Sequence, residues 1–75
     1  MTITVSLFGE YRNYARENEF RMDLPEGGTA SSVADRLGIP VTPSLWVLVD
    51  GKRSALDLKL HDGSAVSFFQ PVGGG

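Results

Sequence analysis

The chain has 75 residues, of which 41% are hydrophobic and 21% charged, a size that allows one small core and a composition that argues against disorder. Seven Lys and Arg face nine Asp and Glu for a net charge of −2, so the basic surface that a nucleic-acid backbone requires is missing. With no Cys and with His61 as the one histidine, a disulfide scaffold, a thiol nucleophile, a thiolate metal site and a His-rich metal site are all excluded.

No apolar run approaches the roughly 18–20 residues of a membrane span. Met1-Thr2-Ile3-Thr4-Val5 carries no basic segment, so no signal peptide is expected. A small domain without disulfides suits a reducing cytoplasm, the expected compartment.

Residues 2–8 alternate, with Ile3, Val5 and Leu7 on one face and Thr2, Thr4 and Ser6 on the other, which predicts a strand. Phe8 falls on the polar side of that alternation, and Gly9 releases the chain. Glu10 to Glu17 reads as a short helical turn carrying Tyr11, Tyr14 and Ala15 at helical spacing, with Asn18 as its stop. Phe20, Met22 and Leu24 then alternate with Glu19, Arg21 and Asp23, a second strand with one wet face, closed by the Pro25-Glu26-Gly27-Gly28 loop.

Thr29 is a candidate N-cap. Ala30, Val33, Ala34 and Leu37 follow at i, i+3, i+4 and i+7, which predicts an amphipathic helix. Gly38 stands at the left-handed C′ position, and Pro40 prevents continuation. Leu45 to Val49 reads as a continuous apolar strand, Asp50-Gly51 as a hairpin turn, and Lys52-Arg53 as a short returning strand. Leu56, Leu58 and Leu60 suit either a strand or a loop on the core. After a turn at Asp62-Gly63, Ser64 to Val72 is the last strand, with Val66 and Phe68 on one face and Ala65, Ser67 and Phe69 on the other.

One helix laid across a mixed sheet of four or five strands buries these stripes economically. With the first strand central and the last parallel beside it, the expected fold is α+β in a β-grasp layout. The expected division is a domain at 1–72 and a glycine tail at 73–75.

Catalytic constellations are weak. His61 and Asp62 are adjacent in a turn with no paired serine, and neighbouring residues point apart. Gly27-Gly28-Thr29 precedes a helix but lacks the spacing of a phosphate loop. The ending Phe68-Phe69-Gln70-Pro71-Val72-Gly73-Gly74-Gly75 differs in kind. Glycines cannot pack and lose the most entropy on ordering. Without Cβ atoms, however, they make a backbone thin enough to thread a narrow channel. Three residues reach at most about 10 Å and the five from Pro71 at most about 18 Å, enough to deliver the Gly75 carboxylate while the globule stays outside. An α-carboxyl group with a reference pKa of about 3.5 is ionised and a poor electrophile, so it needs activation, for example as an acyl adenylate. Sulfide or a thiol attacking that anhydride gives a thiocarboxylate or a thioester.

Phe8 and Phe69 sit opposite their strands' core stripes, and if Leu45, Val47 and Val49 face the helix, Trp46 and Leu48 do not. These side chains would form one exposed apolar patch beside the strand that launches the tail, which suggests a protein partner.

Taken together, these segments resemble the MoaD/ThiS sulfur-carrier proteins, ubiquitin-like β-grasp domains that end in Gly-Gly. The likeness spans essentially the whole chain. It is carried by Val5-Ser6-Leu7-Phe8-Gly9, by Val49-Asp50-Gly51 and most specifically by Leu60-His61-Asp62-Gly63-Ser64-Ala65-Val66 with the ending that follows. The resemblance, closest to the small subunit of molybdopterin synthase, implies a carrier that is not itself an enzyme. Gly75 would carry the adenylate and then the thiocarboxylate, with Gly73 and Gly74 as tail. Phe8, Leu48, Phe69, Pro71 and Val72 would contact partners. No cofactor would be bound permanently, and ATP would be used by an E1-like adenylating enzyme of the MoeB type. A MoaE-like large subunit would receive the sulfur for a pyranopterin in molybdenum or tungsten cofactor assembly. A ThiS-like role in thiamine thiazole synthesis and a ubiquitin-like modifier role are the alternatives. The chain departs from the family pattern at Gln70, at Gly73 and at Arg53, where an apolar partner-facing residue is expected.

Overall fold

The alternating stripes become a single mixed sheet. The computed structural model describes residues 1–71; Val72 and the tail glycines Gly73, Gly74 and Gly75 lie outside the described residues, as does the expected boundary at 72. The elements in order are β1 (Thr2–Leu7), a 3-10 helix (Gly9–Tyr14), β2 (Glu19–Asp23), α1 (Ala30–Leu37), β3 (Trp46–Val49), β4 (Lys52–Ser54) and β5 (Ala65–Phe69). The strands lie side by side as β2-β1-β5-β3-β4. β1 and β5 are parallel, and every other pairing is antiparallel. This is the β-grasp order, with one correction: β5, rather than β1, takes the middle of the sheet.

The core follows from the period of two. Val5 pairs with Val66 and Leu7 with Phe68 across the parallel ladder, and Val47 meets Phe68 and Val49 meets Val66 from the other side. All are buried and lie in one cluster with Ala30, Val33 and Ala34 of α1. Phe68 is the largest of the fully buried side chains.

α1 begins and ends where its sequence dictates. The Thr29 hydroxyl accepts from the Ser32 backbone N–H at 3.2 Å, and the Ser32 hydroxyl accepts from the Thr29 N–H at 3.1 Å. This is a reciprocal capping box with serine in place of the usual Glu or Gln. Gly38 adopts φ 77°, and Ile39 donates back to the Ala34 carbonyl at 2.9 Å before its side chain enters the core. Leu37, expected on the buried stripe, is only half-buried. The hairpin turn carries Asp50 at φ 52° and Gly51 at φ 84°, the left-handed pair that a two-residue loop demands.

Two expected boundaries move, and the open reading of the leucine run is decided. The turn after β1 is a 3-10 helix that stops at Tyr14, with Ala15 already extended, rather than reaching Glu17. The leucine run is a loop: Leu60 is buried, Leu56 half-buried and Leu58 exposed. β5 ends at Phe69 rather than continuing to Val72, since Pro71 has no N–H for a ladder.

Tyr11 anchors the 3-10 helix in the core. Burial pushes its phenol above the ordinary 10.0; the Glu10 carboxylate adds to this, while a contact with the Gln70 side chain opposes it. A raised acid pKa means that the folded state holds its proton longer than the unfolded chain. The stabilisation is therefore fully present below about pH 10 and is lost as pH rises through the folded-state value. Thermal melts of the parent and of Tyr11→Phe from pH 8 to 11 check this: the parent loses stability above pH 10 more steeply than the variant. Phe68→Ala tests the core directly. It should cost about 3–5 kcal/mol in denaturant unfolding, the usual penalty for emptying a large buried aromatic site.

Candidate functional site

The outer face of the sheet, turned away from α1, divides into two halves. Toward β2 it is polar. Thr2, Thr4 and Ser6 pair with Asp23, Arg21 and Glu19. The Thr2 hydroxyl donates to Asp23 at 2.9 Å and the Ser6 hydroxyl to Glu19 at 3.3 Å. Toward β4 it is apolar and aromatic. Trp46 pairs with Phe69, Leu48 with Ser67, and Leu48 again with Arg53.

The apolar half ends in a hollow. Phe8, Gly9, Glu10, Leu48, Phe69, Gln70 and Pro71 line an open depression of about 570 Å³. Phe8 is 53% exposed, a large value for an aromatic side chain in a monomer of this size. Its position is fixed by the backbone, since its N–H donates to the Phe68 carbonyl at 3.1 Å and its carbonyl accepts from Tyr11 at 3.1 Å. The backbone therefore holds Phe8 beside β5 while its ring is left to solvent. Phe69 is half-buried and meets Trp46 edge-on, with ring centroids 5.9 Å apart.

Four of the sequence-predicted contact residues, Phe8, Leu48, Phe69 and Pro71, thus line one depression at the end of β5. Val72 and the tail glycines lie outside the described residues. Trp46 does not line the hollow but buttresses Phe69 from the side. Glu10, Gln70 and Arg53 enter the site's surroundings without having been named as contacts. Gln70 and Glu10 flank the predicted aromatics in the chain, which is the only signal that could have placed them. Arg53 lays its guanidinium 3.2 Å from the centre of the Trp46 ring. Arg53 pairs with Leu48, so Trp46, two residues away on β3, is its diagonal neighbour, a relation that needs the register to be known.

The His61 region forms no hydrolytic cluster, as the sequence leads one to expect. Nε2 of His61 lies 3.3 Å from Asp50, and Nδ1 lies 3.1 Å from the Asp62 carbonyl oxygen. Both ring nitrogens are engaged, and neither meets a serine hydroxyl. The Ser64 hydroxyl is fully buried and accepts from the His61 backbone N–H at 3.0 Å. Asp50 accepts from the Ala65 N–H at 2.9 Å, and Asp62 accepts from the Thr2 N–H at 2.7 Å. These residues tie β1, β3 and β5 together at the end opposite the hollow. Among the described residues no group of three His, Asp or Glu side chains is placed to hold a metal ion, and no helix is long and apolar enough to cross a membrane.

No curated protein sequence matches the chain. Solved structures do. SAMP1 from Haloferax volcanii superposes with a TM-score of 0.82 at 21% identity over 100% of both chains. A Pyrococcus furiosus protein provisionally named molybdopterin converting factor subunit 1 gives 0.78 at 24% identity, over 95% of this chain and 98% of that one. A complex of subunits 1 and 2 of molybdopterin-converting factor from Helicobacter pylori gives 0.67 at 20% identity over 100% of both chains. At these identities the likeness establishes the fold, which is the β-grasp expected from the strand pattern. The sequence itself matches the ThiS family over residues 5–75. That match spans nearly the whole chain, hollow and glycine ending included, and the protein therefore belongs to the ThiS family of ubiquitin-like sulfur carriers.

Proposed function

We propose that the chain carries sulfur as a thiocarboxylate on Gly75 and delivers it as the small subunit of a molybdopterin synthase. A partner adenylating enzyme of the E1 type joins the carboxylate to the α-phosphate of ATP and releases pyrophosphate. A sulfide-level donor then attacks the acyl carbon, AMP leaves, and one carboxylate oxygen has been replaced by sulfur. This chain supplies no acid or base to either step. Its contributions are the nucleophilic carboxylate, a slim path to it and a surface that seats the partner.

One observation carries this reading. The apolar hollow of Phe8, Leu48, Phe69 and Pro71 borders the very end of β5, after which five residues, Gln70 to Gly74, precede Gly75. A partner resting on the hollow is within reach of the terminal carboxylate, because the five residues from Pro71 onward span at most about 18 Å. Docking and delivery are then one event. Further support comes from the Helicobacter pylori complex, in which a subunit 1 chain of this fold is assembled with subunit 2. A MoaE-like large subunit is accordingly the receiving partner in this proposal, and the cytoplasm is its setting.

Mass spectrometry after incubation with the adenylating enzyme, ATP and a sulfur donor tests the chemistry. The expected product is heavier than the starting chain by the difference between sulfur and oxygen. High-mass adducts on lysines with no such species would instead mark a protein modifier. Production of a thiocarboxylate that a thiazole synthase accepts and the large subunit refuses would move the chain to thiamine synthesis. Removing Gly74 and Gly75 should abolish charging and leave the melting temperature within about 1–2 °C of the parent, since ΔΔG values of a few tenths of a kcal/mol shift a domain of this size by no more. A larger fall would show that the tail is part of the folded body. Phe8→Asp should weaken large-subunit binding at least tenfold while costing little stability, the pattern of an exposed contact residue. Equal binding by the variant would remove Phe8 from the interface.

A further inference from the structure

Arg53 stands where an apolar residue is expected on the partner-facing side, and its surroundings give it a purpose. Its guanidinium is stacked over Trp46 at 3.2 Å, and Trp46 in turn packs edge-on against Phe69 of the hollow. A guanidinium over an indole is held by a cation–π contact, and its five N–H donors stay available to a partner. Among the described residues no carboxylate lies within ion-pair distance of this group; the ion pair found among them is His61 with Asp50, both on the far end of the sheet. On the β1 side of the same face Arg12 and Glu19 line one shallow depression, whereas Glu10 borders the hollow itself. Arg21 lies farther off, on β2 opposite Thr4. Among the described residues, Arg53 on β4 is thus a pre-positioned cation with no carboxylate paired to it, next to an apolar hollow.

We infer that Arg53 is a specificity-determining contact that pairs with a carboxylate side chain of the large subunit, beside the apolar group that fills the Phe8–Leu48–Phe69 hollow. The inference rests on the docking reading above and adds the partner's chemistry to it. A carboxylate accepts two parallel N–H donors from a guanidinium. Stacking on Trp46 lowers the entropic cost of forming the pair. A partner with an apolar group and no acid, or with a base at that place, is discriminated against.

The experiment is a titration of the chain with a MoaE-like large subunit, at several salt concentrations. The variants are Arg53→Glu, Arg53→Gln, Arg53→Lys and Phe69→Asp, each with its melting temperature recorded. Arg53→Glu is expected to raise Kd more than tenfold, Arg53→Gln less, and Arg53→Lys least. The parent's affinity should fall with salt more steeply than that of Arg53→Gln, a difference that a purely structural role for the stack would not produce. A large-subunit variant in which the facing acid is changed to Lys should restore binding to Arg53→Glu. If Phe69→Asp abolishes binding while Arg53→Glu stays within twofold of the parent, the docking face stands and the carboxylate inference is overturned. If Phe69→Asp also binds like the parent at an unchanged melting temperature, the docking reading itself fails, and the inference fails with it.

Discussion

The whole arrangement depends on the parallel pairing of β1 with β5 in the middle of the sheet. A strand sends successive side chains to opposite faces, and the pair Phe68-Phe69 uses both faces at once. The Leu7–Phe68 register fixes Phe68 in the core. Phe69 must then face outward, toward Trp46, and Phe8 must follow β1 beside it. A slip of one residue would exchange the two rings, burying the contact residue and exposing the core residue. Stability and docking are therefore set by the same register but reside on different side chains.

The two ends of the sheet have divided their tasks. At one end, Asp62 and Asp50 accept from backbone N–H groups of β1 and β5, and the buried Ser64 hydroxyl accepts from the His61 N–H of the preceding loop. Polar groups at that end build structure. At the other end, β5 stops, Pro71 has no N–H to offer a ladder, and an apolar surface remains open to solvent. Leaving large apolar groups in water is unfavourable for an isolated domain. A binding surface offsets that cost when the partner arrives.

Much of this was legible in the sequence, for physical reasons. Period-two alternation located β1, β2 and β5, and the misfit of Phe8 and Phe69 with that alternation located the outer patch. Thr29 and Gly38 bracketed α1 because caps act on the nearest turn of backbone. The parts that could not be read depend on distances across the fold. The serine partner in the capping box has no strong sequence signature. The meeting of His61 with Asp50 arises only once two separate turns are brought together at one end of the sheet. The stacking of Arg53 on Trp46 is a diagonal contact that follows from hairpin register, so from the sequence alone Arg53 was merely out of pattern. The short 3-10 helix replaced a longer turn because Tyr11 is drawn into the core while Tyr14, three residues on, remains exposed.

The central claim is that the outer end of the sheet, rather than the α1 side, meets the partner. The amide NMR spectrum of the chain, recorded while the large subunit is added, addresses it most directly. The account predicts that signals of Phe8, Leu48, Arg53 and Phe69 shift or broaden first, with Ser31, Asp35 and Arg36 on the exposed side of α1 unmoved. Perturbations concentrated on α1, with the four outer-face residues unchanged, would contradict it.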